Sequence, residues 1–247
     1  MLLSGSKVTK KFGGLYALKD VDFEVRKGEI VGLIGPNGSG KTTLFNVISG
    51  IYNLDGGKIF FDGVDISKFP AHMRCKLGIG RTFQIVRPFN EMSLIDNVKV
   101  GLFFSSRRNL NPREVEKEAL TLLEFVGLKE KAHFNAMDLT LMEKKKLEIA
   151  RAMATQPRIL LLDEPLSGLN TAEVLEAVKL ILRIRDEFNI SIFWVEHIMG
   201  AIMRAAERVI VLNNGEKIAE GTPEEISKDE NVIKVYLGER YLKRGAL

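Results

Sequence analysis

Cysteine is almost absent. The 247 residues contain one, Cys75, so no internal disulfide can form, and without a Cys/His cluster beside it the thiol reads as inert. Long apolar runs are missing too: stretches such as ILLL at 159–162 fall far short of the roughly 20 residues of a membrane-spanning helix. The N-terminal MLLSGSKVTKK has no apolar core of a secretory signal, which predicts a chain that stays in the cytosol. Nor does one sign of charge dominate. Lys plus Arg number 36 against 32 Asp plus Glu, an excess too small and dispersed to require nucleic acid. The densest basic cluster, EKKK at 143–146, reads as the water-facing side of a helix. There is no repeat, low-complexity tract or Pro/Ser-rich linker. What is present, 45% hydrophobic and 28% charged, suits a soluble globular chain that buries a core as one large domain or two small ones.

β-type segments recur with helical ones between them: EIVGLI at 29–34, KIFFDG at 58–63, RILLLDE at 158–164, ISIFWVE at 190–196 and RVIVLN at 208–213. Continuous apolar runs among them suit parallel strands covered on both faces. A helical pattern follows Asn170 up to Phe188, so strand, helix and strand at this spacing read as βαβ. NNGE at 213–216 is a hairpin turn. In the middle, Asn111 and Pro112 start a helix whose apolar face is Val115, Ala119, Leu122, Leu123 and Val126, with Gly127 as its stop. Thr140 and Glu143 form a capping box that starts another. Residues 88–155 are therefore expected to be mostly helical, an insertion within an α/β domain.

Gly35-x4-Gly40-Lys41-Thr42 is the P-loop pattern, with a strand before it and a helix after. Glycines let the backbone turn its N–H groups toward phosphate oxygens, Lys41 reaches the β- and γ-phosphates, and the Thr42 hydroxyl binds Mg²⁺. The phosphate-binding set is Gly35, Pro36, Asn37, Gly38, Ser39, Gly40, Lys41, Thr42 and Thr43. A carboxylate partner for the metal is supplied by Asp163, at the end of an apolar strand and so at the carboxyl edge of the sheet, where such folds bind ligands. Glu164 beside it is placed to orient or deprotonate the attacking water.

With these motifs in order, residues 5 to 240 resemble the nucleotide-binding subunits of ABC transporters. The resemblance implies a single domain over 1–247: an α/β P-loop ABC ATPase with a mostly parallel core sheet, an antiparallel β part and a helical subdomain near 88–155. It implies ATP and Mg²⁺ as cofactors. Gln84 in GRTFQ looks like the glutamine that contacts Mg²⁺ and the water. His197 matches the switch histidine on the γ-phosphate, Phe12 fits the ring that stacks on adenine, and LSGLN at 166–170 is similar to the D-loop, with Asn170 where Asp is commoner. The family's signature, close to Leu-Ser-Gly-Gly-Gln, binds the γ-phosphate of ATP held by another subunit. LTLME at 139–143 stands in its place. Thr140 and Glu143 replace serine and glutamine, while Leu141 and Met142 replace both glycines and are expected to crowd the phosphate.

GIGRTFQIVRPFNEMSLIDNV at 78–98, LEIARAMATQPRILLLDEPLSGLN at 147–170 and EGTPEEISKDENVIKVYLGE at 220–239 look like the ATPases of branched-chain amino-acid importers. The resemblance implies membrane subunits from other genes, a second ATPase chain or a self-dimer, a substrate-binding protein acting indirectly, no nucleic acid, and a peripheral place on the cytoplasmic face of the cell membrane. Lipopolysaccharide-export ATPases share the same ending and are the alternative inside the transporter class. Soluble ABC ATPases acting on nucleic acid or ribosomes are the alternative outside it.

Overall fold

The structure is a computed structural model that describes residues 1–105 and 110–237. Residues 106–109 of the 88–155 segment, and Gly238 and Glu239 of the 220–239 stretch, lie outside them. The chain divides into two compact units, one of Met1–Pro70 with Ser191–Leu247, the other of Ala71–Ile190. The first unit opens with β1 (Leu3–Phe12), β2 (Leu15–Val25), β3 (Ile30–Ile34), α1 (Lys41–Ile48), β4 (Gly56–Phe61) and β5 (Val64–Asp65). The second contains α2 (Ala71–Leu77), β6 (Ile79–Arg81), α3 (Leu94–Phe103), α4 (Pro112–Phe125), α5 (Leu141–Ala154), β7 (Ile159–Asp163) and α6 (Thr171–Phe188). The chain then returns to the first for β8 (Ser191–Val195), α7 (Met199–Ala205), β9 (Arg208–Asn213), β10 (Glu216–Gly221), α8 (Pro223–Lys228) and α9 (Glu230–Leu237).

In the first unit β2, β1, β4 and β5 form an antiparallel sheet. β9, β3 and β8 run parallel, with β10 antiparallel on β9. Every residue of β3 and β8 is buried, which explains their unbroken apolar sequence: a strand covered on both faces has no polar side to alternate with. Gly32 of β3 lets α7 approach, because a Cβ there would lie 2.9 Å from Ile202 Cγ2. Phe193 of β8 packs against Phe23 at 5.9 Å and Phe45 at 5.2 Å between ring centroids. It thus joins β8 to β2 and α1. Asn214 and Gly215, both with positive φ, make the expected hairpin of β9 and β10.

In the second unit β6 and β7 are parallel, and β7 is buried throughout. α4 has the expected cap, Asn111 with Glu114, and buries Val115, Ala119, Leu122 and Leu123. α3 and α5 meet at Gly101, where a Cβ would be 2.7 Å from both Ala154 Cβ and the Arg151 carbonyl. α6 begins at Asn170, whose side chain accepts from the Ala172 and Glu173 amides. Among the described residues no helix is long and apolar enough to cross a membrane.

Candidate functional site

The phosphate loop follows β3. Gly35, Gly38 and Gly40 have φ of 152°, 80° and 105°, and a Cβ would lie 2.2 Å from the Leu212 carbonyl oxygen at Gly35 and 2.5 Å from the Ala17 carbonyl oxygen at Gly40. Only glycine satisfies both demands. Gly40 is the N-cap of α1, with no side-chain cap and no acidic residue in the first turn; a helix start of this kind presents its amides to an anion. Lys41 Nζ donates to the carbonyls of Gly35 at 2.7 Å and Pro36 at 3.0 Å, so the cation lies over the loop. Among the described residues Ser39 Oγ is buried and without a partner. Pro36, Asn37, Thr42 and Thr43 lie along the same loop and first helical turn.

Phe12 ends β1 with its ring exposed and stands edge-on to Tyr52 at 5.3 Å. Each ring carries a lysine: Lys10 Nζ lies 5.4 Å from the Phe12 ring centre and Lys11 Nζ 4.4 Å from that of Tyr16, which is also exposed. His197 follows β8 with its side chain 53% exposed, while Glu196 beside it is fully buried. Glu196 Oε2 accepts the backbone N–H groups of His197 at 3.0 Å and Ile198 at 3.3 Å, and so fixes the turn that presents the imidazole.

In the second unit Asp163 Oδ2 pairs with Arg81 Nη2 at 2.8 Å, both side chains buried. The Asp163 amide donates to Thr82 Oγ1 at 3.4 Å. Among the described residues Asp163 Oδ1 is buried with no partner. Glu164 has φ of 47°, a left-handed backbone that a non-glycine residue holds at a cost and that is concentrated at functional sites. Gln84 Nε2 donates to Glu164 Oε2 at 2.7 Å, and Lys145 Nζ reaches the Glu164 carbonyl at 3.4 Å. Glu148 Oε1 accepts the Phe83 N–H at 2.6 Å. Burial pushes the Glu148 carboxyl up to about 7, against the pull of that N–H and of the nearby Arg151 and Lys145.

The start of α5 differs from the start of α1. Thr140 Oγ1 accepts the Glu143 N–H at 3.3 Å and Glu143 Oε2 accepts the Thr140 N–H at 3.0 Å, the capping box expected. Lys131 Nζ binds Glu143 Oε1 at 2.5 Å. That bond, helped by Thr140, holds the Glu143 carboxyl below the usual carboxylate range despite some burial. Two corrections follow. Leu141 is 47% exposed but Met142 is 7% exposed, because the second turns into the core; one side chain, not two, crowds the helix end. EKKK is not wholly a water-facing side: Lys145 is 6% exposed and ends on the Glu164 carbonyl.

Nothing in the sequence alone singles out Arg81, Glu148, Glu196 or Tyr52. Lys145 was legible in principle, since it lies three residues after Met142 and four before Ile149, on the inward stripe of a helix. Arg81 was not, because its partner is 82 residues away.

Comparison with known proteins identifies the family. The family model for ABC transporters matches residues 18–167, and that for the branched-chain amino acid ATP-binding cassette transporter matches 216–241. The high-affinity branched-chain amino acid transport ATP-binding protein BraF of Pseudomonas aeruginosa is 41% identical over 96% of this chain and 98% of its own. Its counterpart LivG of Escherichia coli is 42% identical with the same coverage. The lipopolysaccharide export system ATP-binding protein LptB of Escherichia coli, at 36% over 97% of this chain and 98% of its own, is more distant. The structure superposes on the ADP conformation of MJ1267, an ATP-binding cassette of an ABC transporter, with a TM-score of 0.86, 31% identity, and coverage of 96% of this chain and 99% of that one. It also superposes on the dimeric cassette MJ0796 with a TM-score of 0.81, 28% identity, and coverage of 90% and 99%. By the family model over residues 18–167 and the relatives that match nearly the whole chain, the chain belongs to the ABC transporter family.

Proposed function

We propose that this chain binds and hydrolyses ATP to drive an importer of branched-chain amino acids. It works on the cytoplasmic face of the cell membrane, with membrane-spanning subunits from other genes, a second ATPase chain or copy of itself, and a substrate-binding protein engaged indirectly. Residues 1–247 form one nucleotide-binding domain. The hydrogen bond from Gln84 Nε2 to Glu164 Oε2, 2.7 Å, is the observation that supports hydrolysis most directly. The relatives' names and the match at 216–241 support the substrate class, and set the lipopolysaccharide-export alternative behind it. The dispersed net charge of +4 supports no nucleic-acid partner.

Phe12 stacks on the adenine, and residues 35–43 receive the phosphates. Lys41 exchanges its own loop carbonyls for the β- and γ-phosphates, and His197 contacts the γ-phosphate. The residues present fit Mg²⁺, since Asp163 Oδ1 is a buried oxygen without a partner among the described residues. Thr42, Gln84 and Asp163 would hold the ion, which when bound supplies positive charge to the phosphate oxygens. Glu164 takes a proton from water as the water oxygen bonds to the γ-phosphorus; the bond to the bridging oxygen breaks, and ADP leaves. Thr140 and Glu143 face the γ-phosphate held by the second ATPase, through the amides of α5.

Glu164→Gln tests this. The variant should lose at least about 100-fold in hydrolysis, the usual scale for a general base, while binding ATP and eluting as an ATP-dependent dimer with itself or with its partner. Absence of any dimer at saturating ATP, or undiminished hydrolysis, would reject the scheme.

A further inference from the structure

α5 carries Lys145, Glu148 and Arg151 three residues apart, so all fall along one side of the helix. Each ends on the backbone of another segment. Lys145 Nζ reaches the Glu164 carbonyl at 3.4 Å, Glu148 Oε1 accepts the Phe83 N–H at 2.6 Å, and Arg151 Nη1 donates to the Arg87 carbonyl at 3.0 Å. The segment they hold has little of its own to fix it. β6 ends at Arg81, the Thr82 amide still pairs with the Leu161 carbonyl at 3.0 Å, and beyond it the Phe83 amide pairs with a side chain instead. Phe83 is itself half exposed, with the Arg81 guanidinium 4.8 Å from its ring centre, so core packing alone does not pin it. The next residue is Gln84, which holds Glu164.

We propose that Glu148 is a positioning residue for hydrolysis: by accepting the Phe83 N–H it anchors the backbone one residue before Gln84, and so keeps Gln84 on Glu164. The role rests on the reading of Gln84 and Glu164 as catalytic. Its consequence is that α5, whose first turn is the signature segment 139–143, also holds this chain's own hydrolytic pair. A shift of α5 is then felt at Gln84 through Glu148 and at Glu164 through Lys145.

The test uses the full-length chain in the assembled transporter, with Glu148→Ala, Glu148→Gln and Gln84→Ala. Glu148→Ala should lower kcat by about 10- to 100-fold, the scale of a small misplacement of a reacting group, while KM for ATP stays within about twofold. Glu148→Gln keeps an oxygen acceptor for the Phe83 N–H and should recover to within about threefold of wild type. In a Gln84→Ala background Glu148→Ala should cost less than about twofold more, because both act through one group. A kcat of Glu148→Ala near wild type, a glutamine variant as slow as the alanine one, or fully additive losses would overturn the proposal. If Glu148→Ala does not fold, amide hydrogen exchange decides: slow exchange at Phe83 in the wild type supports the anchor, and exchange at the rate of a free loop overturns it. Glu164→Gln is run in parallel. Loss of turnover there, with normal turnover in Glu148→Ala, rejects the positioning role alone; normal turnover in Glu164→Gln rejects the catalytic reading beneath it.

Discussion

Arg208 shows how one partly buried cation organises the first unit. Its Nε and Nη2 each donate to the Glu29 carboxylate at 3.0 Å, and Nη2 also reaches the Glu24 carbonyl at 2.8 Å. Nη1 pairs with Glu220. Burial alone would push the Glu29 carboxyl up, but Arg208 and the Arg26 N–H together hold it below its ordinary value. Removing one partner strands the other charge, so Arg208→Ala should cost about 1–3 kcal/mol in denaturant unfolding, less than for a fully buried pair. Because the folded-state pKa of Glu29 is lowered, the pair contributes fully above the unfolded value near 4.5 and loses its contribution as pH falls through the folded value. The stability advantage of wild type over Arg208→Ala should therefore shrink as pH is lowered from about 6 to about 3. An advantage that grew on acidification would contradict the assignment.

At the scale of elements, helix starts differ in how they are closed. α4, α5, α6 and α8 each begin with a capping box in which a Glu at the third position closes on the cap residue, while α1 begins at a bare glycine. A side-chain carboxylate and a phosphate compete for the same amides, so the acid-free first turn of α1 suits the phosphate-binding role proposed for it, although α2 and α7 also lack an acid there. Asn111→Ala should lower stability by about 1 kcal/mol, as for other caps, and leave ATP hydrolysis unchanged; a fall in hydrolysis would show that α4 does more than pack. The caps are also why α4, α5 and α6 were legible in sequence. β1 and β2 were not, because their buried positions are interrupted by irregular register. β6, from Ile79 to Arg81, is too short to show a period.

At the scale of the whole molecule the start of α5, proposed above as the signature, sets the expectation for a pair of ATPases. Its cap is closed by an ionised Glu143 paired with Lys131, and Leu141 projects from the first turn. A nucleotide approaching this helix meets a carboxylate and a bulky side chain where bare amides serve best. If the partner's signature is intact, the site built on this chain's Lys41 is the competent one. Lys41→Ala should then abolish hydrolysis by the pair, while the matching change in the partner only reduces it. Equal losses, measured as kcat of the assembled pair, would reject the asymmetry.

The spacing of Gly35, Gly40, Lys41 and Thr42 by itself determined the phosphate loop, because a turn of fixed backbone angles leading into a helix is a local object. Asn111, Thr140 and Asn170 determined their helix starts for the same reason: a cap and its box span four residues. The assignments of Gln84, His197 and Phe12 came from resemblance, not from spacing. Tertiary structure alone decided that Arg81 pairs with Asp163, that Met142 turns inward while Leu141 does not, and that Lys145 and Glu148 leave the solvent to hold the backbone at Glu164 and Phe83. Those outcomes depend on which face of a helix is covered and on partners far apart in the chain, and packing, not local sequence, settles both.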